Sequence, residues 1–378
     1  MDRLRNERGI ALPLAIFALV VIGGLVAGAM FVATQEQRIG QNTLRQQTAF
    51  TAAEAGADSV VLHWTAGTQN MNVGDSVQSS GTAPDGKGWY RQTTKRLGGN
   101  IFLVKADGFN KDSTTRARVG ILVRLRPLAF DINAALKTQG QTTVGGSSEI
   151  SGQDSVPIGW TDCPPTKPDQ PGIRMPDPSQ LHTSGGCSGN ACITGDPQVL
   201  KDTTINTQTL SSVGGIPFDS LKQYATKILS GGNIQQIFPS LIGLTQCNTG
   251  DQNNWGDPIN PSGPCGSYFP IIWSDGDLQL GSGYGQGVLI VNGNLTVNGG
   301  FQFFGPVLVS QTLTTAGTGG HFNGGVIAAN TDLCTSNSCD TQIMGNAVIS
   351  YSSCALIKAL NKSATVMPMG QRSWLHLY

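Results

Sequence analysis

The cysteines of this 378-residue chain are its most reactive side chains, since two thiols can form a disulfide. Short spacings in polar, glycine-rich sequence indicate three pairs, namely Cys187–Cys192, Cys247–Cys265 and Cys334–Cys339, although other connectivities stay open. Disulfides of this kind form in an oxidising compartment such as a periplasm. The CxxC spacing of zinc sites is absent from the sequence, so that a metal role for the thiols is disfavoured.

The other residue types that act in catalysis show no pattern of a known site. The histidines are His63, His182, His321 and His376, and they share no ligand spacing. The segment 281–287, GSGYGQG, does not match the GxGxxG phosphate loop, and the sequence has no GxSxG nucleophile pattern. The sequence therefore predicts no catalytic and no cofactor-binding residue.

Two pairs of aspartates leave calcium as the one cofactor to consider. Asp275 with Asp277, or Asp251 with Asp257, could bind the ion through loop oxygens. The chemistry of Asp-Gly turns explains these residues equally well. We therefore predict no metal ligand, with calcium as the alternative.

The composition excludes a general nucleic-acid binder and favours β-structure. Lys+Arg and Asp+Glu both number 24, so no global positive field exists to hold phosphates. Charged residues make up only 13% of the chain, whereas glycine reaches 50 residues. This balance favours tight turns and close backbone approach over long charged helices.

An apolar segment near the N-terminus is long enough to cross a membrane. Arg3, Arg5 and Arg8 precede an uncharged run over residues 10–33, which as a helix would be about 36 Å long against a hydrocarbon core of about 30 Å. The preceding arginines predict a cytoplasmic N-terminus and place the rest of the chain outside the cytoplasm, in agreement with the disulfides. Apolar residues then recur at helical spacing to Trp64, so we expect one continuous helix over 10–65.

The N-terminal 65 residues resemble those of PilX-type pilus-assembly proteins, which are related to type IV pilins and type II secretion pseudopilins. The resemblance is carried by the short basic leader, by Gly9 before the apolar run, and by QQTAFTAAEAGAD at 46–58. It implies that a prepilin peptidase cuts between Gly9 and Ile10, and that the retained helix packs with those of other pilin or pseudopilin subunits. An apolar helix suits both lipid and a filament core, since its backbone groups are paired internally.

Two residues of this segment bear on filament contacts. Most major pilins carry a glutamate as the fifth mature residue, and here that position is Leu14. The missing carboxylate removes a docking group, which favours a minor or tip subunit. Glu54 is either a solvated helix position or a filament contact, and the sequence does not decide between them.

A small antiparallel β region is predicted after the helix. Residues 100–110 and 114–127 read as two strands joined by a turn. In the second strand, arginines at 116, 118, 124 and 126 alternate with apolar residues, so one face should pack on the helix and the other should be charged. The arginine row is consistent with anion binding, but a solvated strand face is the preferred interpretation.

The later part of the chain contains a repeat at an offset of 19 residues, which predicts a parallel β-helix or solenoid. The aligned sets are Gly281/Gly300/Gly319, Tyr284/Phe303/Phe322, Val288/Val307/Val326, Leu289/Leu308/Ile327, Leu278/Val297/Ala316 and Asn292/Gln311/Asn330. We expect an aromatic column and an amide column from the second and the last of these sets. Residues 348–350 resume the pattern of 326–328 at an offset of 22, with three extra residues in the Cys334–Cys339 loop.

We therefore expect a mainly β protein with a long N-terminal helix, in which a pilin-like helix and sheet are followed by a solenoid. The predicted segments are the leader 1–9, helix 10–65, β region 66–128, first coil 129–155, a Pro/Cys-rich insertion 156–265 with a helix candidate at Phe218–Leu229, and the repeat and tail 266–378.

The predicted function is that of a non-enzymatic minor pilin or pseudopilin subunit. Residues 278–330 contain no Asp, Glu, Lys or Arg, which disfavours catalysis on the repeat. The predicted partners are prepilin peptidase, other pilin subunits and inner-membrane lipid, without nucleic acid. The expected location is the inner membrane, with the head in the periplasm or outside the cell. The alternative is an unprocessed, membrane-anchored solenoid that acts as an adhesin or binds glycans.

Overall fold

The computed structural model describes residues 11–69, 71–126, 130–161, 163–164, 166–330, 340–363, 365–369 and 374–377. The predicted cleavage site Gly9–Ile10 and the predicted pair Cys334–Cys339 lie outside these residues. The described chain forms two compact units, Met1–Arg124 with Val366–Tyr378 and Leu125–Thr365.

The helices are α1 (Ala11–Leu62), α2 (Ala66–Gln69), α3 (Thr207–Leu210) and α4 (Ser353–Lys362), with 3-10 helices at Pro178–Gln180, Gly185–Asn190 and Phe218–Tyr224. The strands are β1 (Ser76–Thr82), β2 (Gly88–Gly98), β3 (Ile101–Asn110), β4 (Arg116–Arg126), β5 (Leu136–Thr138), β6 (Thr142–Val144), β7 (Glu149–Ser151), β8 (Ile173–Met175), β9 (Leu181–Thr183), β10 (Ile193–Thr194), β11 (Val199–Lys201), β12 (Ser212–Val213), β13 (Ile216–Pro217), β14 (Lys227–Leu229), β15 (Gly232–Ile237), β16 (Leu241–Ile242), β17 (Gln246–Cys247), β18 (Ile271–Ser274), β19 (Leu278–Gln286), β20 (Val288–Val291), β21 (Leu295–Val297), β22 (Phe301–Val309), β23 (Leu313–Thr315), β24 (His321–Ala328), β25 (Thr341–Ile343), β26 (Val348–Tyr351), β27 (Thr365–Pro368) and β28 (Trp374–Leu377).

The first unit is a long helix packed on an antiparallel sheet, as predicted. Strands β1, β2, β3 and β4 follow one another as a meander. Alternation along β3 and β4 buries one face, with Phe102 opposite Val123 and Val104 opposite Ile121. This apolar face is the one that receives α1, because alternate side chains of a strand point to opposite faces of the sheet.

The C-terminal segment completes this sheet and does not belong to the repeat. Residues Trp374–Leu377 pair antiparallel with β4, so that Trp374 lies opposite Ile121. The strand β27 also pairs with β4, and the amide of Met369 donates to the carbonyl of Leu122. The sequence had placed this segment in the tail after the solenoid. Its assignment depends on contacts with residues about 250 positions earlier, which spacing along the chain does not reveal.

The second unit is a parallel, curled sheet of 18 described strands, which confirms the solenoid-like prediction. Its coils do not stack in the order of the sequence. Strands β24, β25 and β26 pair with β5, β6 and β7, and the strands β8, β9 and β10 lie on the other side of β5–β7. The coil that comes first in the chain is therefore internal to the stack.

The segment predicted as an insertion, 156–265, contributes coils at both ends of the stack. Strands β8–β11 extend it beyond β5–β7, whereas β14 and β15 pair with β18 and β19. The helix candidate Phe218–Leu229 is a 3-10 helix over Phe218–Tyr224 followed by strand β14. Pairing with a neighbouring strand therefore overrides the local helical pattern at Lys227–Leu229.

The repeat offset is not constant, and most of the predicted alignments are one residue out of register. Strand β22 pairs with β24 at an offset of 19, so Phe303 does lie opposite Phe322. The preceding coil pairs at an offset of 18, however, which places Gly285 and not Tyr284 beside Phe303. Leu278 pairs with Leu295 at an offset of 17 and Leu295 with Leu313 at an offset of 18, and these pairs replace the predicted set Leu278/Val297/Ala316.

The same change of offset breaks the other predicted columns. Leu289 pairs with Val307, and Val307 with Val326. The amide of Asn330 donates to the carbonyl of Gln311, whereas the amide of Gln311 donates to that of Gly293, so Asn292 lies outside the amide column. A later offset is also longer than predicted, since Ile349 pairs with Phe322 at 27 residues. The sequence predicted 22.

Trp255 supplies the aromatic side chain that the column lacks at Gly285. A Cβ on Gly285 would lie 2.8 Å from the Cβ of Trp255, so the indole needs a glycine at this position. The Trp255 ring packs edge-on against Phe301 and Phe303, at centroid distances of 5.7 and 6.5 Å. Trp255 is fully buried. It comes from outside the repeat, so that an alignment of repeats could not find it.

Glycines at one corner of the solenoid let consecutive coils approach closely. Gly305 has a φ of +132°, and a Cβ there would lie 2.0 Å from the carbonyl oxygen of Gly287. Gly324 follows in the next coil with a φ of +145°, where a Cβ would lie 2.5 Å from the carbonyl oxygen of Gly305. Both the backbone angle and the space therefore exclude a side chain at this corner.

Candidate functional site

The apolar run of α1 is the largest exposed apolar surface among the described residues. Leu12, Leu14 and Phe17 are 72%, 66% and 69% exposed. Within the described chain, this is also the one helix that is long and apolar enough to cross a membrane, with a mean hydropathy of 2.6 in its most apolar stretch. Apolar surface of this extent needs lipid or another protein surface to cover it.

Leu14 lies on this exposed run and brings no charge to it. No residue between positions 10 and 33 is ionisable, so the helix can enter a hydrocarbon or a protein core without an unpaired charge. The structure therefore leaves Leu14 available for a contact with another helix.

The alanine-rich block that follows is where α1 meets the sheet. Four alanines of α1 are fully buried, namely Ala49, Ala52, Ala53 and Ala57. Gly108 of β3 lies beneath them, and a Cβ at this position would be 2.1 Å from the carbonyl oxygen of Ala49 and 2.2 Å from the amide nitrogen of Ala53. The AAEAG block thus has a structural role, since its small side chains bring the helix backbone onto the strand. Sequence reasoning missed Gly108, for which no local signal exists.

Glu54 lies in this block, well after the apolar run, and is half-buried. Burial, and then the carboxylate of Asp58, raise the pKa of Glu54. The role of Glu54 as a filament contact stays a prediction.

A groove of about 650 Å³ runs beside α1 where the helix leaves the sheet. Its walls include Ile39, Gln46 and Phe50 of α1 and Ala117 of β4. Ile39 is 63% exposed. The groove therefore continues the exposed face of the helix toward the sheet.

The arginine row of β4 is neutralised in part by an acidic residue on the neighbouring strand. Asp107 accepts hydrogen bonds from Arg116 at 2.8 Å and from Arg118 at 2.6 Å. Both arginines keep substantial exposure, with 48% and 37% of their side-chain surface accessible. This is an ion-paired, solvated strand face, and it offers an incoming anion less positive charge than the sequence alone indicates.

The cysteines described by the structure form three disulfides. Cys187 is bonded to Cys192, and Cys247 to Cys265. Cys163 is bonded to Cys354, which lies 191 residues later. That bond joins segments that only the tertiary structure brings together, so short spacing could not indicate it.

The aspartates considered for calcium are bound to separate partners. Asp275 accepts from Lys222 Nζ at 2.7 Å and from Trp273 Nε1 at 2.8 Å, and these bonds lower its pKa. Asp277 accepts from the amide of Asn294. Burial raises the pKa of Asp257. Among the residues that the structure describes, no group of three or more His, Cys, Asp or Glu side chains could hold a metal ion.

The four histidines lie on or next to four different elements of the structure. His63 Nδ1 lies 3.1 Å from the carbonyl oxygen of Ser59 on α1, whereas His182 and His321 belong to different strands of the solenoid, β9 and β24. His376 lies in β28 of the other sheet.

Comparisons with known proteins identify no family. No protein-family model matches the sequence. No curated protein matches it either. One similar solved structure is that of the competence-associated pilin ComZ from Thermus thermophilus, with 12% identity over 88% of this chain and 96% of that chain. The TM-score is 0.23, which is too low to support an argument about this protein.

Proposed function

We propose that this chain is a non-enzymatic minor pilin or pseudopilin subunit of the PilX type. It is anchored in the inner membrane by α1 and is then assembled into, or at the tip of, a type IV pilus or a related secretion pseudopilus. The single observation that carries the proposal is α1 itself, a 52-residue helix that is apolar and exposed near its start and packed on a sheet from Ala49 onward.

The physical logic of this helix supports transfer from lipid to filament. Its backbone hydrogen bonds are internal, so the apolar half is stable both in a bilayer and among other apolar helices. Head-to-tail packing that does not close produces a helical filament. The groove at Ile39, Gln46 and Phe50 extends the exposed surface that a neighbouring helix could cover.

The absence of charge at Leu14 supports a minor subunit. A subunit without a carboxylate at this position cannot pair with the terminal amine of a neighbour through that group. The repeat at 278–330 contains no Asp, Glu, Lys or Arg, which supports a structural role for the solenoid, because acid–base chemistry commonly uses such groups.

Mass spectrometry of the chain from its native host tests the proposal. We expect a mature N-terminus at Ile10, after cleavage by prepilin peptidase, and the mature chain in sheared filaments. Gly9→Ala should block this cleavage. Gly23→Ala is the matched control, since a Cβ on Gly23 meets no atom within 4 Å, and it should be processed normally.

The rival interpretation is an anchored solenoid that is never processed. If protein from the native host keeps its leader, and the protein is absent from sheared filaments, the rival interpretation is established and ours is rejected.

A further inference from the structure

A pocket of about 370 Å³ lies in the second unit, against the helix α4. Ile357, Lys358 and Asn361 of this helix form one wall. Trp160, Thr161 and Pro164 form a second wall, residues from the segment 261–269 form a third, and Gln286 of β19 forms the floor. This volume is at the lower end of the range of about 300–1,000 Å³ for small-molecule sites.

Two disulfides fix the walls of the pocket. Cys163–Cys354 joins the segment with Trp160 to the first turn of α4, and Cys247–Cys265 holds the segment that leads to Phe269. Trp160 Nε1 also donates to the carbonyl of Pro258 at 2.9 Å, which ties the two segments together. Covalent and hydrogen bonds therefore hold the segments around the cavity in place.

The lining combines aromatic rings with positive charge. Phe269 is half-buried and packs edge-on against Trp160, at a centroid distance of 5.9 Å. Lys358 Nζ lies 5.4 Å from the Trp160 ring and donates to the carbonyl of Thr161, and Lys362 also lines the pocket. No acidic residue occurs among the described lining residues. An anionic ligand with an apolar face matches this combination.

The floor carries a buried amide with one unused hydrogen-bonding atom. Gln286 is 1% exposed, and its Nε2 donates to the carbonyls of Gly266 and Tyr268, at 2.9 Å each. Its Oε1 has no hydrogen-bond partner among the described residues. The side chain of Gln286 is therefore held in place by the protein at the base of the pocket.

We propose that this pocket binds one carboxylated sugar residue, that is, a uronic acid unit of an acidic glycan. Its carboxylate would face Lys358 of α4, and the C–H face of its ring would lie against Phe269. The inference goes beyond a role in filament assembly, and it can be tested on the purified chain whether or not the leader is processed.

Calorimetric titration of the full chain in detergent micelles tests this site. The probes are a galacturonic acid trisaccharide and the neutral galactose trisaccharide. We expect saturable binding of the acidic probe, with at least about tenfold weaker binding of the neutral one, because a charge-assisted hydrogen bond contributes about 1.5–3 kcal/mol. Equal binding of the two probes would overturn the assignment of the lysines, and no binding of either would overturn the site.

Three variants locate the binding. Lys358→Gln should weaken binding of the acidic probe at least tenfold, and Ser267→Trp, which places an indole at the exposed mouth, should abolish it. Lys201→Gln removes an exposed lysine of β11 and should leave the affinity unchanged. Each variant is accepted only if its thermal unfolding matches the wild type. Wild-type affinity in both pocket variants would show that the sugar binds elsewhere and would overturn the proposal.

Discussion

The close contact between α1 and the sheet predicts that Gly108 cannot carry a side chain. A Cβ at this position would lie 2.1 and 2.2 Å from backbone atoms of α1, whereas ordinary contacts begin at about 3.4 Å. Backbone atoms cannot swing away as a side chain does, so the helix must move outward by more than about 1 Å. We therefore expect Gly108→Ala to separate α1 from β3.

The magnitude follows from the contacts that would open. The four buried alanines bury about one methyl group each, and a methyl group contributes about 0.8 kcal/mol. Partial loss of these contacts, with the usual overpacking cost of about 1–3 kcal/mol, gives an expected loss of about 2–3 kcal/mol. At about 4 °C per kcal/mol for a unit of this size, the melting temperature of the first unit should fall by roughly 10 °C.

Gly98→Ala is the matched control. Gly98 lies in β2 of the same sheet, and a Cβ there meets no atom within 4 Å. Alanine in a strand is no worse than glycine for the backbone, so this variant should unfold at or slightly above the wild-type temperature.

The assay is thermal unfolding of the full chain in detergent, together with hydrogen exchange of peptides from residues 49–62. In Gly108→Ala we expect faster exchange in these peptides and unchanged exchange in the solenoid. Equal melting temperatures and equal exchange in the two variants would refute the reasoning, because the helix would then have tolerated the added methyl group.

Two further predictions concern the solenoid. Gly305→Ala should lower the unfolding temperature of the second unit, because a φ of +132° costs a non-glycine residue about 1–3 kcal/mol and the added Cβ would overlap Gly287. Gly300→Ala is the control and should be nearly neutral, because the nearest atom to its Cβ is 3.9 Å away. Equal melting temperatures of the two variants would contradict this prediction. Hydrogen bonds from Thr204, with a contribution from Arg174, lower the pKa of Asp202 in the folded state. The ionised carboxylate therefore stabilises the folded state at pH values above 3.8, the ordinary pKa of an aspartate, and this stabilisation is lost as the pH falls through the lower pKa of the folded state. Asp202→Asn should therefore melt earlier than wild type at pH 7, and this gap should close in acid, whereas a gap that is independent of pH would exclude the carboxylate as its cause.

The sequence was sufficient to predict those elements whose structure depends on residues close together along the chain. The uncharged run and the periodicity that follows it predicted α1, because helix hydrogen bonds join residues four positions apart. The alternation of arginines with apolar residues predicted β4, because side chains alternate across a strand. The short loops likewise indicated Cys187–Cys192 and Cys247–Cys265, the two bonds that the structure contains at those positions.

The repeat was recognisable from the sequence, but its register was not. An offset of 18 differs from one of 19 by a single residue in a corner, and a corner residue leaves little trace in a pattern of apolar side chains. Because the side chains of a strand alternate, this single residue moves Tyr284 out of the core and brings Gly285 to the position opposite Phe303. Only the tertiary structure shows that Trp255 fills the space.

The sequence by itself determined the kinds of element in this protein: an apolar helix, an amphipathic strand pair and a glycine-rich repeat. The tertiary structure decided which elements meet. It placed the first coil inside the stack, joined Cys163 to Cys354, returned Trp374–Leu377 to the sheet beside α1, and enclosed the pocket above Gln286. These arrangements depend on contacts between residues up to about 250 positions apart, and contacts of that separation leave no periodic signal along the chain.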